Sequence, residues 1–358
     1  MKAKLFIVIL IMVWLLPQGL VIGSDKKSKP IRPQHNTALE FINTSFENAS
    51  KVDWEIDAEG NIVISLIYDH ERSSPNRANG HWHFQLQAKP GSDFTLILKN
   101  FVNIYNGRMA STLDKRKTMT TCYVSHDGVK WVSVPTERLS DNLLKVPVHM
   151  ENDTLYVAGV EPYRLSDLKK FIAEIRDHPL VNITPIGRTV QGRELEIIRV
   201  GRSDAPYRIL IRARAHPWES GGNWVVQGLV RRLLRDDKTA ARYLKKYCVH
   251  IMPMANKDGV VRGWTRFNQL GVDLNRKWDR LADSRYAPEN HALESWLKGM
   301  IAKGKKFHLA IDFHNDNGGH VIVCKPGKNV QSYHVAMKRF EQLLYKHSWF
   351  REGFVGWT

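Results

Sequence analysis

Cysteine is scarce in this chain of 358 residues, and Cys122, Cys248 and Cys324 can build neither a disulfide framework nor a four-cysteine zinc site. A GxxxxGK[ST] loop is missing, so the backbone cradle that nucleotide-driven enzymes wrap around phosphates is not provided. There is no arginine-rich arm and no basic stretch interleaved with aromatics, which argues against nucleic-acid binding. Beyond the N-terminal segment no apolar run is long enough to span a membrane, and no Leu-x-x-Cys pattern offers a lipid anchor. Internal repeats and low-complexity tracts are also lacking. Acidic residues are outnumbered, 36 against 53 lysines and arginines, for a net charge of +17. Such an excess favours acidic partners such as anionic wall polymers, membranes or acidic peptides; it serves equally as a solubilising surface and says little about fold.

What is present describes an ordinary folded protein. With 43% hydrophobic and 25% charged residues, the chain can bury a core, and its length suits two domains. Lys2 and Lys4 open it, followed by twelve apolar residues from Leu5 to Leu16, a break at Pro17, and small residues before Ser24. This pattern predicts a signal peptide over 1–23 and export to the periplasm or outside, the alternative being an N-terminal membrane anchor. Three cysteines in an oxidising compartment leave at least one unpaired. Residues 24–36 read as a polar linker.

Residues 37–159 alternate as strands. Asn61–Tyr68, His81–Gln87, Phe94–Leu98 and Cys122–Val124 fit, and Asp127-Gly128 predicts a tight two-residue hairpin turn. A small antiparallel sandwich is expected. Trp54, Trp82, Phe84, Tyr105 and Trp131 are read as core or sheet-packing aromatics rather than a sugar platform. His81 and His83 share one strand face and are read as surface polarity, since no third ligand stands near.

From residue 160 helices alternate with strands. Ser166 is read as the cap of a helix carrying Leu168, Phe171, Ile172 and Ile175. Strands are expected at Leu195–Val200, Arg208–Ala215, Cys248–Met254, Phe307–His314 and His320–Cys324. Helices are expected at Trp224–Leu234, with Val225 inward, at His291–Ala302 and at His334–Tyr345. That rhythm predicts a mostly parallel sheet covered on both faces.

The chemistry gathers at the carboxyl ends of two of these strands, where sites in such sheets collect. His216-Pro-Trp-Glu219 follows one strand, and a histidine and a glutamate three apart can meet one metal ion where the chain turns. His314 closes another strand and completes a His-Glu-His set that leaves a position for water, the mark of a catalytic rather than a structural zinc site. His320 is a rival third ligand. Between them lie Asn256-Lys-Asp-Gly259, Arg266 and Gly271-Val-Asp-Leu-Asn-Arg276-Lys-Trp278.

In this order the motifs resemble the zinc metallocarboxypeptidase family. The aromatic β-region, followed by Val160-Glu-Pro-Tyr-Arg-Leu-Ser-Asp-Leu168, is similar to its cytosolic-carboxypeptidase-like branch, and the resemblance covers about Ile42 to Val323. It implies an N-terminal antiparallel β-sandwich followed by an α/β zinc carboxypeptidase domain with a mostly parallel sheet, 160–358. It implies Zn2+ held by His216, Glu219 and His314, Arg266 at the scissile carbonyl, and Asn275 with Arg276 on the substrate's terminal carboxylate. Partners would then be peptide or protein C-termini, acidic or cell-wall peptides among them. The alternatives are a zinc amidase or deacylase on acyl-amino acids, and a catalytically damaged binding protein.

Three departures stand out. Trp218 replaces a frequent glycine, its ring either narrowing the pocket or packing outward; Lys257 replaces the proline of NPDG, with little effect expected from that change. The family's general-base glutamate lies well beyond the third ligand, but only 44 residues (358 − 314) follow here. Glu341 falls on a helix and Glu352 in a loop-like tail, so neither is assigned. About five strands, fewer than in the family's sheet, lead to the expectation of a piece of a longer chain.

Overall fold

The computed structural model describes residues 8–10, 38–69, 76–111, 113, 120–315, 321–323, 331–348 and 354–357. Most of the expected signal peptide, the linker, His320, Cys324 and Glu352 lie outside them. The chain separates into two compact units, one comprising 14–162 with 259–267, the other 1–13, 163–258 and 268–358.

Among the described residues the first unit holds a two-stranded sheet, Val102–Tyr105 with Arg108–Ser111, and two five-stranded ones. One runs Val132–Pro135, Thr121–Ser125, Thr154–Ala158, His83–Ala88, Leu39–Asn43; the other Glu137–Ser140, Leu143–His149, Asp93–Lys99, Ile62–Leu66, Val52–Ile56. Alternation does the sorting: Phe94, Leu96 and Leu98 point inward from one strand, between exposed or half-buried neighbours. They meet Phe84, Leu86, Leu155 and Val157 from the facing sheet in one core. The pairing is not wholly antiparallel, because Ile62–Leu66 runs parallel to Asp93–Lys99.

Several local expectations change here. Val132 pairs with Val124, so the turn after Ser125 spans residues 126–131. Asp127 Oδ1 accepts from the amides of Val129 and Lys130, and this side-chain turn displaces the two-residue hairpin. Trp82 and Phe84 are core residues, but Trp54 and Tyr105 are exposed. His81 and His83 are buried rather than on the surface. His83 sits edge-on to Phe46 and Trp131, and its Nδ1 lies 3.1 Å from Asn48 Oδ1.

The second unit contains a sheet whose order begins Val181–Arg188, Glu194–Val200, Tyr247–Met252, Tyr207–Ala213, Leu309–Phe313. The last three run parallel, but the first two join antiparallel, so the sheet is mixed rather than mostly parallel. Val181–Arg188 escapes the sequence pattern because Pro185 and Gly187 interrupt it, with a bulge between them. Val8–Leu10 forms a short strand beside Leu309–Phe313.

Helix Pro288–Ala302 covers one face, Leu293 and Leu297 packing on Leu195, Ile197, Leu210, Met252 and Ala310. Helix Gly221–Leu233 buries Val226, Val230 and Leu233, while Val225 faces out at 52% exposure, against expectation. Helix Leu165–Ile175 is capped by Arg164, whose amide donates to Asp167 Oδ2 at 2.8 Å; Ser166 lies inside the first turn. No helix among the described residues is long and apolar enough to cross a membrane.

Candidate metal centre

Ala213 and Phe313 end neighbouring parallel strands in register, and the chain leaves each into a loop bearing a histidine. His216 Nδ1 lies 2.8 Å from Glu219 Oε1, and His314 Nδ1 lies 2.7 Å from Glu219 Oε2. The three ligand atoms fall within 4.8 Å of one another. All three side chains are buried.

The far nitrogens decide what this cluster can do. His216 Nε2 is 3.1 Å from Asp273 Oδ1, and His314 Nε2 is 3.3 Å from Asp312 Oδ2. Each imidazole therefore faces a carboxylate on both sides, whereas a neutral ring has only one N–H to give. A divalent cation resolves the conflict: Nε2–H donates to the aspartate, and the Nδ1 lone pair and the glutamate are left for the ion. Two imidazoles and one carboxylate are a donor set suited to catalytic zinc.

The electrostatics agree. Burial alone would raise the Glu219 carboxyl, but His216 and His314 outweigh it and hold it far below the usual range. Burial would lower His314, but Glu219 and Asp312 carry it up to about 10. Burial would likewise raise Asp312, and Arg212 holds it down instead. Carboxylates gathered this closely need positive charge among them.

Two buried arginines brace the loops. Arg212 Nη1 donates to Asp312 at 2.9 Å, and its Nη2 donates to Leu274 O and Asn290 Oδ1. Arg214 takes a left-handed φ of 62° and donates to Pro217 O and Asn223 Oδ1, fixing the turn that presents His216 and Glu219. Burial pushes the Arg214 guanidinium down to about 9. On the other side, Asn315 Oδ1 accepts from Gly221 N at 3.0 Å, tying the residue after His314 to the helix after Glu219.

The turn at 273–276 joins the same cluster. Asp273 Oδ1, already on His216, accepts from Asn275 N at 2.9 Å, and Arg276 Nη1 donates to Asn275 O at 2.9 Å. Asn275 is buried and its Nδ2 has no acceptor among the described residues. Arg266 belongs to the other compact unit, where its amide donates to Asp69 Oδ2 at 2.8 Å. Glu341 lies on helix Gln331–His347.

Sequence reasoning missed the supporting residues. Asp312 stands two before His314, and alternation along the strand could have flagged it. Asp273 lay inside the GVDLNR motif without a role. Arg212 and Arg214 gave no signal, because buried arginines are rare. Lys257 does more than expected: buried, it pairs with Glu196 and donates to Glu194 O at 2.7 Å. Asp258 of the same motif accepts from Thr189, Gln191 and Arg193, holding the hairpin loop.

Residues 168–343 match the zinc carboxypeptidase (peptidase M14) family model. Cytosolic carboxypeptidase 6 of Caenorhabditis elegans is 32% identical over 294 residues, 75% of this chain and 61% of that one. A carboxypeptidase A-like structure from Shewanella denitrificans is 25% identical with a TM-score of 0.76, covering 89% of this chain and 82% of its own. A metallo-carboxypeptidase from Pseudomonas aeruginosa, in complex with (2-guanidinoethylmercapto)succinic acid, is 25% identical with a TM-score of 0.71, covering 88% and 82%. The chain spans less than two thirds of the length of the curated relatives it matches first. With the metal-suited cluster and the NxDG and GVDLNR segments inside the matched region, residues 168–343 are identified as a zinc carboxypeptidase domain.

Proposed function

We propose that this protein is a zinc-dependent metallocarboxypeptidase that removes the C-terminal residue of peptides. The observation that carries the reading is the pair of imidazoles, each with an aspartate behind it and Glu219 between them. His216, Glu219 and His314 hold the ion, which when bound supplies a Lewis acid and a water acidic enough to ionise near neutrality. Asp273 and Asp312 fix the two rings in the tautomer that leaves Nδ1 unprotonated. Arg276 grips the substrate's free carboxylate and Asn275 Nδ2 donates a further hydrogen bond, a match of guanidinium to carboxylate that lysine does not reproduce. Arg266 steadies the developing oxyanion. The succinic acid ligand of the Pseudomonas aeruginosa protein, which itself bears free carboxylates, supports a carboxylate-selecting site. The test is hydrolysis of a blocked dipeptide beside its C-terminal amide, with stoichiometric zinc in the purified chain. Cleavage of the acid alone is expected; a folded chain that takes up no zinc overturns the reading.

The finer readings rest on sequence. The lysine-led apolar start supports export, and its test is N-terminal sequencing of secreted protein for a chain starting at Ser24. The positive charge supports acidic or cell-wall peptides as substrates. The β-rich unit is read as an N-terminal domain preceding the catalytic one.

A further inference from the structure

A cavity of about 160 Å³ lies in the catalytic unit at the opposite end of the strands from His216. Its position follows from strand alternation on the face that helix Pro288–Ala302 covers. Near the metal end that face presents Ile197, Leu210 and Met252; two residues away along each strand it presents Arg199, Arg208 and His250. Lys305, just past the helix, completes the ring of cations, and Trp296 and Met300 form the apolar wall. Asn182, Thr184 and Ser203 add neutral hydrogen-bonding groups at the mouth.

Among the described residues no carboxylate lines this cavity. Asp204, next in sequence to Ser203, is engaged by Arg202 at 2.7 Å. Glu196 alternates to the other face, where Lys257 takes it. The Arg208 side chain has no ion-pair partner among the described residues, and its Nε is buried without an acceptor. Lys305 likewise has no carboxylate partner among them. Three half-buried cations converging without a counter-charge are electrostatically expensive, and an anion relieves them. His250, 5% exposed and 5.7 Å from the Trp296 ring centre, stays neutral among them, since burial and then Arg199, Arg208 and Lys305 push it down to about 4.

We propose that this cavity is a binding site for a phosphate group, separate from the metal centre. Guanidinium and ammonium donors with hydroxyl and amide groups at the rim match a doubly charged tetrahedral oxyanion, and a volume of about 160 Å³ admits one such group. The group comes either as inorganic phosphate or as a phosphate monoester.

Calorimetric titration of the full chain with inorganic phosphate, glycerol phosphate and succinate tests the assignment. Saturable phosphate binding is expected, weakened on the order of tenfold or more by Arg208→Gln and again by Lys305→Gln. It should persist in His216→Ala, which separates this site from the metal centre and keeps the test independent of the carboxypeptidase reading. Lys305→Gln, on a loop, guards against a folding defect in Arg208→Gln. Tighter binding of phosphate or of glycerol phosphate supports the site and tells the source. Binding unchanged in both cavity variants, equal binding of succinate, or no binding at all overturns it.

Discussion

Asp273 and Asp312 each stand behind an imidazole but differ in what stands behind them. Asp312 also neutralises buried Arg212, whereas Asp273 faces the half-buried Arg276 at 4.0 Å. Either aspartate changed to asparagine should weaken zinc affinity about 10–100-fold, read by competition with a chelating dye. Asp312→Asn should also cost about 3 kcal/mol of stability because it strands a buried cation, while Asp273→Asn should cost far less. Equal stability losses in denaturant would refute the asymmetry. His250 offers a pH test. Arg199 and Arg208 on the flanking strands, Lys305 after the helix, and Cys248, Trp296 and Phe307 surround it. Folded, it titrates near 4 rather than 6.5, so the unfolded chain takes up the proton first. Its contribution is whole above pH 6.5 and is lost as pH falls toward 4, by up to about 3 kcal/mol. Urea titrations at both ends of that window should show a flatter pH dependence in His250→Gln than in the parent. That His216, Glu219 and His314 come together was legible in sequence because ligand chemistry restricts residue types at turns. Their supports went unread: Asp312 alternates with His314 along one strand, but Asp273, Arg212 and Arg214 belong to no local spacing that marks them out.

Elements were legible where burial is periodic. Asp93–Lys99 alternates cleanly, and helices Gly221–Leu233 and Pro288–Ala302 each carry an apolar stripe. Periodicity failed where side chains replaced backbone patterns: Arg164 with Asp167 moved a cap, and Asp127 rebuilt a hairpin. The short segment at 259–267 shows the same substitution at larger scale. It follows the NxDG motif and carries Arg266, yet it has no strand of its own. Asp69 holds it, accepting from the amides of Thr265, Arg266 and Phe267, while burial pushes that carboxyl up to about 6 against the pull of those donors. Gly263 packs tightly within the β-rich unit: φ is 62°, and a Cβ there would collide with Ala49 O. Neither the backbone atom nor the left-handed conformation tolerates a side chain. Gly263→Ala should therefore destabilise this unit by about 2 kcal/mol or more, seen as a lowered denaturant midpoint. A neutral result would mean the segment is not held there.

At the scale of the molecule the sequence order and the spatial order part company. A single cut after the β-rich region would sever Asn48, Ser50, Asp69 and His81 from partners some two hundred residues later. Those contacts are seven hydrogen bonds: two from Asn48 to Val261 O and Val260 O, one from Ser50 Oγ to Gly263 O, one from His81 N to Thr265 Oγ1, and three to Asp69. At about 1 kcal/mol each, losing them removes a large share of the ordinary 5–15 kcal/mol stability of a domain. Asp69 would be left with no amides to satisfy it, a further cost. A fragment spanning residues 38–162 should accordingly unfold at markedly lower denaturant than the same unit in the full chain. Tryptophan fluorescence of Trp82, fully buried in that core, can follow both transitions. Adding a peptide of residues 259–267 should restore part of the loss, because a ligand that binds only the folded state stabilises it by mass action. A fragment as stable as the unit in the full chain, indifferent to the peptide, would show that the core alone suffices and that the segment bearing Arg266 is a passenger on it.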